Sequence, residues 1–128
     1  MKQIRNNIIP FPGFRAINLF GLLFVRKSAR IDDVLIRHEQ IHTRQMIEIT
    51  LIALILTLPF LFTIWWLPIL SFFTYYLWYV VEWFIHLARI KDTHKAYRKI
   101  CFEQEAYENQ DVDWYLRKRR LFNFINYM

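Results

Sequence analysis

The sequence predicts a mainly α-helical fold, built on a helical hairpin in a membrane, with a short strand region at the N-terminus. Three observations predict it. The chain has 128 residues, which suits about one domain, and 55% of them are hydrophobic. The 33 residues at positions 49–81 carry no charge, and a domain of this size has little interior in which to bury such a run. The 17 Lys and Arg residues lie on both sides of that run.

The composition excludes several classes of protein. Only two glycines, with 19% aromatic residues, exclude a disordered, collagen-like or low-complexity chain. The single cysteine, Cys101, cannot form an internal disulfide, which excludes a disulfide-stabilised secreted mini-protein. The net charge is +6, but no zinc-finger spacing or glycine-rich basic motif accompanies it. We therefore expect the lipid bilayer as a partner and no nucleic acid.

A strand and turn region is predicted at residues 1–31. The segment 10–13, with two prolines and a glycine, predicts a turn. The apolar and aromatic segment 19–25 predicts a short strand. Asp32 or Asp33 can cap the helix that follows, because a carboxylate is favoured at the N-terminal end of a helix.

The hydrophobic segment is long enough for two membrane spans. Including compatible flanking residues it covers positions 46–88, and one span needs about 20 residues. Proline is favoured in the first turn of a helix, so Pro68 is expected to begin the second span, at 68–90. Trp65 and Trp66 suit the headgroup region. The first helix is placed at 33–66, with Pro59 either bending it or ending it early.

The distribution of basic residues predicts the orientation of the hairpin. Eight Lys and Arg residues precede the uncharged run and nine follow it. A single span would place similar positive charge on both sides, whereas a hairpin places all of it on the cytoplasmic side. We therefore predict an inner-membrane protein with both termini in the cytoplasm. The alternative is a buried helical hairpin in a soluble oligomer.

Two further segments complete the predicted organisation of a single domain. A charged helix is predicted at 89–109, of which 91–109 lies beyond the membrane. The C-terminal segment 110–128 is basic, with a short helix at 111–120 that ends in an Arg-Lys-Arg-Arg run. Within the second span, Glu82 and His86 stand four residues apart and predict either a functional pair or a mutual hydrogen bond.

The motif His-Glu-Gln-Ile-His at positions 38–42 predicts a metal site. Residues four apart share a face of a helix, so His38 and His42 can bind one zinc ion at about 2.0–2.1 Å each. Glu39 then lies where it can contact a water on that metal, as in the H-E-x-x-H arrangement of zinc peptidases. A catalytic zinc site normally has a third protein ligand. The sequence FEQEAY at 102–107 offers two carboxylates for that role.

An HExxH helix, a hydrophobic insertion and a helix with E-x-x-A resemble the membrane gluzincins. These include the CAAX prenyl proteases, the HtpX-like heat-shock proteases and the beta-lactam sensor-transducer peptidases. The resemblance covers two short motifs and the order of elements. It implies that Glu103 is the third zinc ligand and that Ala106 matches the family alanine. The alternative register makes Glu105 the ligand, with Asn109 as its carbonyl partner.

The chain departs from the family pattern at one position. Those families have an Asp that supports a zinc-bound histidine, and this chain has Tyr107 there. The tyrosine hydroxyl is the expected substitute in that supporting role. His94 and Arg98 are near in sequence and could donate to an oxyanion. The histidines and Glu103 can share a metal only if the chain crosses the membrane an even number of times, as the hairpin does.

These features together predict an integral membrane zinc metallopeptidase with a minimal zincin-like site on the cytoplasmic side. Its substrate would be a peptide or protein, which could pair as an extended strand with segment 19–25. The alternative is a non-catalytic membrane protein with a structural metal or none, acting through protein or lipid contacts. A third possibility is a zinc hydrolase that acts on a non-peptide amide.

Overall fold

The computed structural model of the chain describes residues 1–10 and 14–128. It is mainly helical with a three-stranded sheet near the N-terminus, which confirms the coarse fold class. Two compact units are distinguished, Met1–Arg44 with Ala106–Arg119 and Gln45–Glu105 with Arg120–Met128. The divisions after positions 44 and 105 fall inside continuous helices. Three residues of the predicted turn at 10–13 lie outside the described residues.

The sheet belongs to the first unit and consists of β1 (Gln3–Asn6), β2 (Ala16–Leu19) and β3 (Leu22–Arg26). β3 is central, parallel to β1 and antiparallel to β2. The strand predicted at 19–25 is confirmed for 22–25, which lie in β3, but a tight turn at Phe20 and Gly21 separates them from Leu19, which belongs to β2. Both turn residues have positive φ, 53° and 78°, as a two-residue hairpin turn requires. The Asn18 side chain stabilises the turn by accepting the Gly21 N–H at 3.0 Å.

The first long helix, α1, covers Asp33–Thr57. Asp32 caps it, since its carboxylate accepts the Leu35 N–H at 2.7 Å. A 3₁₀ turn, Leu58–Phe60, follows and contains Pro59. Proline has no N–H and clashes with the preceding turn, so the α-helix ends early instead of continuing through 66.

The second unit continues with α2 (Leu67–Leu70), a 3₁₀ turn (Ser71–Phe73) and α3 (Thr74–Ile90). Pro68 lies in the first turn of α2, as expected, but the helix predicted at 68–90 is not continuous, because the 3₁₀ turn separates α2 from α3. The Thr57 and Ser71 hydroxyls form a hydrogen bond of 2.8 Å that joins the end of α1 to this segment. The core of the unit is mostly aromatic and aliphatic, and comprises Met46, Ile49, Tyr75, Ile100, Cys101, Phe102 and Phe124.

The helix predicted at 89–109 is interrupted, so the prediction of one continuous helix is wrong. α3 ends at Ile90, and Lys91 adopts a left-handed conformation with φ 58°. Asp92 then caps α4 (Thr93–Arg98) by accepting two backbone N–H groups at 3.0 Å. A side chain that binds backbone donors in this way favours a new helix start over continuation. α5 follows at Cys101–Asn109.

The C-terminal segment contains less helix than predicted at 111–120. Only α6 (Tyr115–Lys118) and a 3₁₀ turn (Asn123–Tyr127) form there. In the second unit, Phe124 enters the core, and Gln104 donates a hydrogen bond to the Tyr127 carbonyl at 3.1 Å. The terminal residues therefore pack against α5.

Among the described residues, one helical stretch is long and apolar enough to cross a membrane. It is Asp33–Phe60, with 28 residues. The helix α3, the other element of the predicted hairpin, has 17 residues. The length of the first stretch, about 42 Å at 1.5 Å per residue, exceeds the thickness of a hydrocarbon core.

Candidate metal centre

The two histidines of the HExxH motif lie one turn apart on α1 and face each other. Their Nε2 atoms are 3.0 Å apart, and the ring centroids are 4.7 Å apart with an edge-on geometry. Both side chains are buried. Two nitrogens on one tetrahedral zinc ion lie about 3.3 Å apart, from Zn–N distances of 2.0–2.1 Å. The arrangement therefore needs only a small ring adjustment to bind a metal.

Glu103 lies in the first turn of α5 and is buried. Its Oε1 atom accepts a hydrogen bond of 2.5 Å from the Tyr79 hydroxyl, which projects from α3. Burial makes a carboxylate costly unless it is hydrogen-bonded or lies beside a cation. Tyr79 meets the first of these conditions and holds the carboxylate in one orientation.

The structure brings His38, His42 and Glu103 together. Their ligand atoms all lie within 4.8 Å of one another, and all three residues are buried, so the group could hold a metal ion. Two imidazoles and one carboxylate form the ligand set of a three-ligand catalytic zinc site. Zinc fits the donor chemistry of this group.

Glu39 is adjacent to His38 on α1 and is also buried. Its backbone carbonyl accepts hydrogen bonds from the Asn18 amide at 2.7 Å and from the Thr43 hydroxyl at 3.0 Å. Asn18 also binds the Thr43 hydroxyl at 2.8 Å, so β2 is attached to α1 at the motif itself. Sequence reasoning missed Asn18. The only feature that could have indicated it is the hairpin turn next to it.

Glu105 is fully buried on α5 but belongs to a different set of contacts. Its Oε2 atom accepts a hydrogen bond of 2.9 Å from the Gln45 amide, which also donates to the Phe102 carbonyl at 3.1 Å. Glu105 is not a member of the group that could hold a metal. Of the two registers considered for the third ligand, the geometry favours Glu103.

The Tyr107 and Gln110 side chains both contact the His38 ring, and the supporting role of the Tyr107 hydroxyl stays a prediction. Tyr107 contacts the His38 ring edge-on, with centroids 4.7 Å apart. The hydrogen bond at 3.0 Å from His38 Nδ1 is made by the side-chain oxygen of Gln110. Sequence reasoning missed Gln110, which lies directly after the last residue of α5. Arg37 holds this segment through the Gln110 carbonyl at 2.6 Å and Asp113 at 2.5 Å.

His94 and Arg98 are both exposed on α4. The His94 ring lies beside Tyr97, with centroids 6.5 Å apart, and His94 is not part of the metal-competent group. A donor that stabilises an oxyanion acts from a site that excludes water. Because both side chains are exposed, neither residue is suited to that role.

Cys101 lies two residues before Glu103 and is completely buried. Burial, together with the neighbouring Glu82 carboxylate, raises the pKa of the Cys101 thiol above its usual range. The thiolate is the form that binds metals and reacts with electrophiles. Cys101 therefore stays protonated, and its side chain packs in the hydrophobic core instead of binding a metal.

Comparisons with protein families, with curated proteins and with solved structures find no match for this chain. Its function is therefore inferred from its own residues and their geometry.

Proposed function

We propose that the protein is an integral membrane zinc metallopeptidase that hydrolyses peptide bonds near the cytoplasmic face of the membrane. One observation carries the proposal. His38, His42 and Glu103 form a buried group within 4.8 Å, and the buried Glu39 is next to the first histidine. This combination provides three metal ligands and a separate carboxylate for proton transfer.

Each residue has a distinct task in the proposed reaction. A zinc ion held by the three ligands would polarise the scissile carbonyl and lower the pKa of water. Glu39 takes the proton from the attacking water and gives it to the leaving amine. Gln110 holds the His38 ring through Nδ1, and Tyr79 orients the Glu103 carboxylate. Such supporting hydrogen bonds fix the orientation of metal ligands.

The position of the strands changes the expected mode of substrate binding. β3 contains most of the predicted strand at 19–25, but β1 and β2 flank it on both sides, so it cannot accept another strand. β2 is an edge of the sheet, and Asn18 in β2 is bonded to the Glu39 carbonyl at 2.7 Å. An extended peptide that adds to β2 would therefore lie close to the proposed base.

The second unit exposes an unusual amount of apolar surface. Soluble monomers rarely expose apolar patches larger than a few hundred Å². Here the outward-facing residues of 47–85 are almost all aliphatic or aromatic, and Phe62 is 97% exposed. A lipid bilayer would shield such a surface from water. The most exposed apolar side chains in this region are Ile55, Leu56, Leu58, Phe62, Trp65, Leu77 and Phe84.

The proposed topology predicts that both termini lie on the same side of the membrane. Reporter tags fused separately to residues 1 and 128 should both be protected from protease in sealed cells, and both should be cleaved after permeabilisation. Tags on opposite sides would contradict the hairpin and would separate His38 from Glu103. Release of the protein from membranes by carbonate would contradict insertion itself.

Metal analysis and a peptidase assay test the proposed activity directly. Full-length protein purified in detergent without chelators should contain about one zinc per chain. It should cleave members of a quenched fluorescent peptide library, and 1,10-phenanthroline should abolish cleavage until zinc is restored. His94→Ala, which changes an exposed histidine, is the matched control and should keep both the zinc and the activity. A wild-type protein without stoichiometric metal would overturn the proposal.

A further inference from the structure

We propose that Glu82, on α3, is a positioning residue that holds the first turn of α5 and thereby places the Glu103 carboxylate. The significance of Glu103 rests on the proposed function. The contact made by Glu82 does not, because it joins α3 to the backbone of α5 within the second unit and involves none of the three proposed metal ligands.

The first turn of α5 has no cap of its own in the sequence. The residues before Cys101 are Lys99 and Ile100, and neither side chain can accept a hydrogen bond. The first N–H groups of a helix need acceptors. Glu82 supplies one from another helix, since its Oε1 atom accepts the Cys101 N–H at 2.8 Å. Its negative charge also suits the positive end of the helix.

The remaining contacts of Glu82 restrict its carboxylate. Oε2 accepts hydrogen bonds of 3.1 Å from the Cys101 thiol and from the indole N–H of Trp78. His86 Nε2 lies 3.5 Å from Oε1. The side chain is 15% exposed. The four-residue spacing predicts only a mutual hydrogen bond between Glu82 and His86. In the structure the same carboxylate also binds α5.

Tyr79 and Glu82 act on α5 at two points. They are three residues apart and so lie on one face of α3. Glu82 binds the backbone of Cys101, and Tyr79 binds the side chain of Glu103 two residues later. α3 therefore sets both the path of the first turn and the orientation of its carboxylate. Displacement of that turn would move Glu103 away from the histidines.

A graded series at position 82 tests this role in the full-length protein in detergent. Glu82→Gln keeps one acceptor oxygen, whereas Glu82→Ala removes both. We expect zinc affinity, measured by competition with a chromogenic chelator, to fall about 10–100-fold in Glu82→Ala and less in Glu82→Gln. Trp83→Phe is the matched control, because Trp83 donates from the same helix to the Thr93 carbonyl at 3.2 Å and not to α5.

Alkylation of Cys101 provides a second readout that needs no metal. It is the sole cysteine of the chain, and it is buried against Glu82. In metal-free protein we expect iodoacetamide to label it slowly in the wild type and in Trp83→Phe. Labelling should be about tenfold faster or more in Glu82→Ala than in Glu82→Gln, because both variants lose the charge beside the thiol but only Glu82→Ala leaves the first turn of α5 without an acceptor, so that it opens more often. Helical content by circular dichroism should remain that of the wild type.

The two readouts separate failure of this proposal from failure of the proposed function. Labelling in Glu82→Ala that is no faster than in Glu82→Gln overturns the proposal, and so does faster labelling with unchanged zinc affinity. If the wild type binds no zinc, the proposed function is overturned and labelling alone decides whether Glu82 holds α5. If Glu82→Ala does not fold, Glu82→Gln is compared with the wild type instead, and unchanged values in that variant overturn the proposal.

Discussion

The Glu39→Gln variant is expected to keep its zinc and to lose peptide hydrolysis. Glutamine is nearly the same size as glutamate but cannot accept the proton of the attacking water. A positioned general base contributes about 10²–10⁴-fold to the rate, and kcat/KM should fall by that factor. The peptide identified in the library assay serves as substrate, and zinc content is measured on the same sample.

The control for this prediction is Glu108→Gln, which replaces an exposed glutamate on α5 and should leave both quantities unchanged. Full hydrolysis by Glu39→Gln with zinc bound would contradict the enzymatic role. It would favour the alternative of a structural metal, since such a site has no need of a base next to the first histidine.

Glu103→Gln is expected to lose zinc, whereas Glu105→Gln is expected to keep it. The two residues are buried glutamates on the same helix and differ in their surroundings. Glu103 lies with the histidines, and Glu105 accepts a hydrogen bond from Gln45 at 2.9 Å. The carboxamide that replaces the Glu103 carboxylate is a much weaker zinc ligand. Zinc per chain, measured after gel filtration, should fall from about one to near zero.

The pair of variants controls for the cost of altering a buried glutamate. Both changes replace a buried carboxyl group on α5 with an amide, so a difference in zinc content cannot arise from the loss of a buried carboxyl group alone. Loss of zinc in Glu105→Gln with retention in Glu103→Gln would reverse the assignment. Loss in both would indicate that metal binding needs the fold of α5 as a whole.

The local part of the candidate site could be predicted from the sequence. His38 and His42 face each other because the pitch of one helix places residues four apart on the same side. The mainly helical fold, the cap at Asp32 and the end of α1 near Pro59 likewise depend on neighbouring residues. Local steric and hydrogen-bonding preferences act within a few residues, and a pattern can therefore reveal them.

The continuity of the later elements could not be predicted in the same way. The apolar segment 19–25 contains a two-residue turn, and the charged segment 89–109 contains two helix breaks. In both cases one side chain, Asn18 or Asp92, binds nearby backbone N–H groups and competes with the regular structure. Composition and periodicity over a window do not resolve such single contacts.

The sequence by itself determined that the two histidines share one face of a helix, that Glu39 is next to the first of them, and that a long uncharged segment follows. Each of these features depends only on spacing along one element. The tertiary structure alone decided that Glu103 and not Glu105 lies with the histidines. It also brought the Gln110 side chain to His38 Nδ1 and the Glu82 carboxylate to the Cys101 N–H. These contacts join residues far apart in the chain, so their geometry depends on how whole helices pack, and packing is a property of many side chains together.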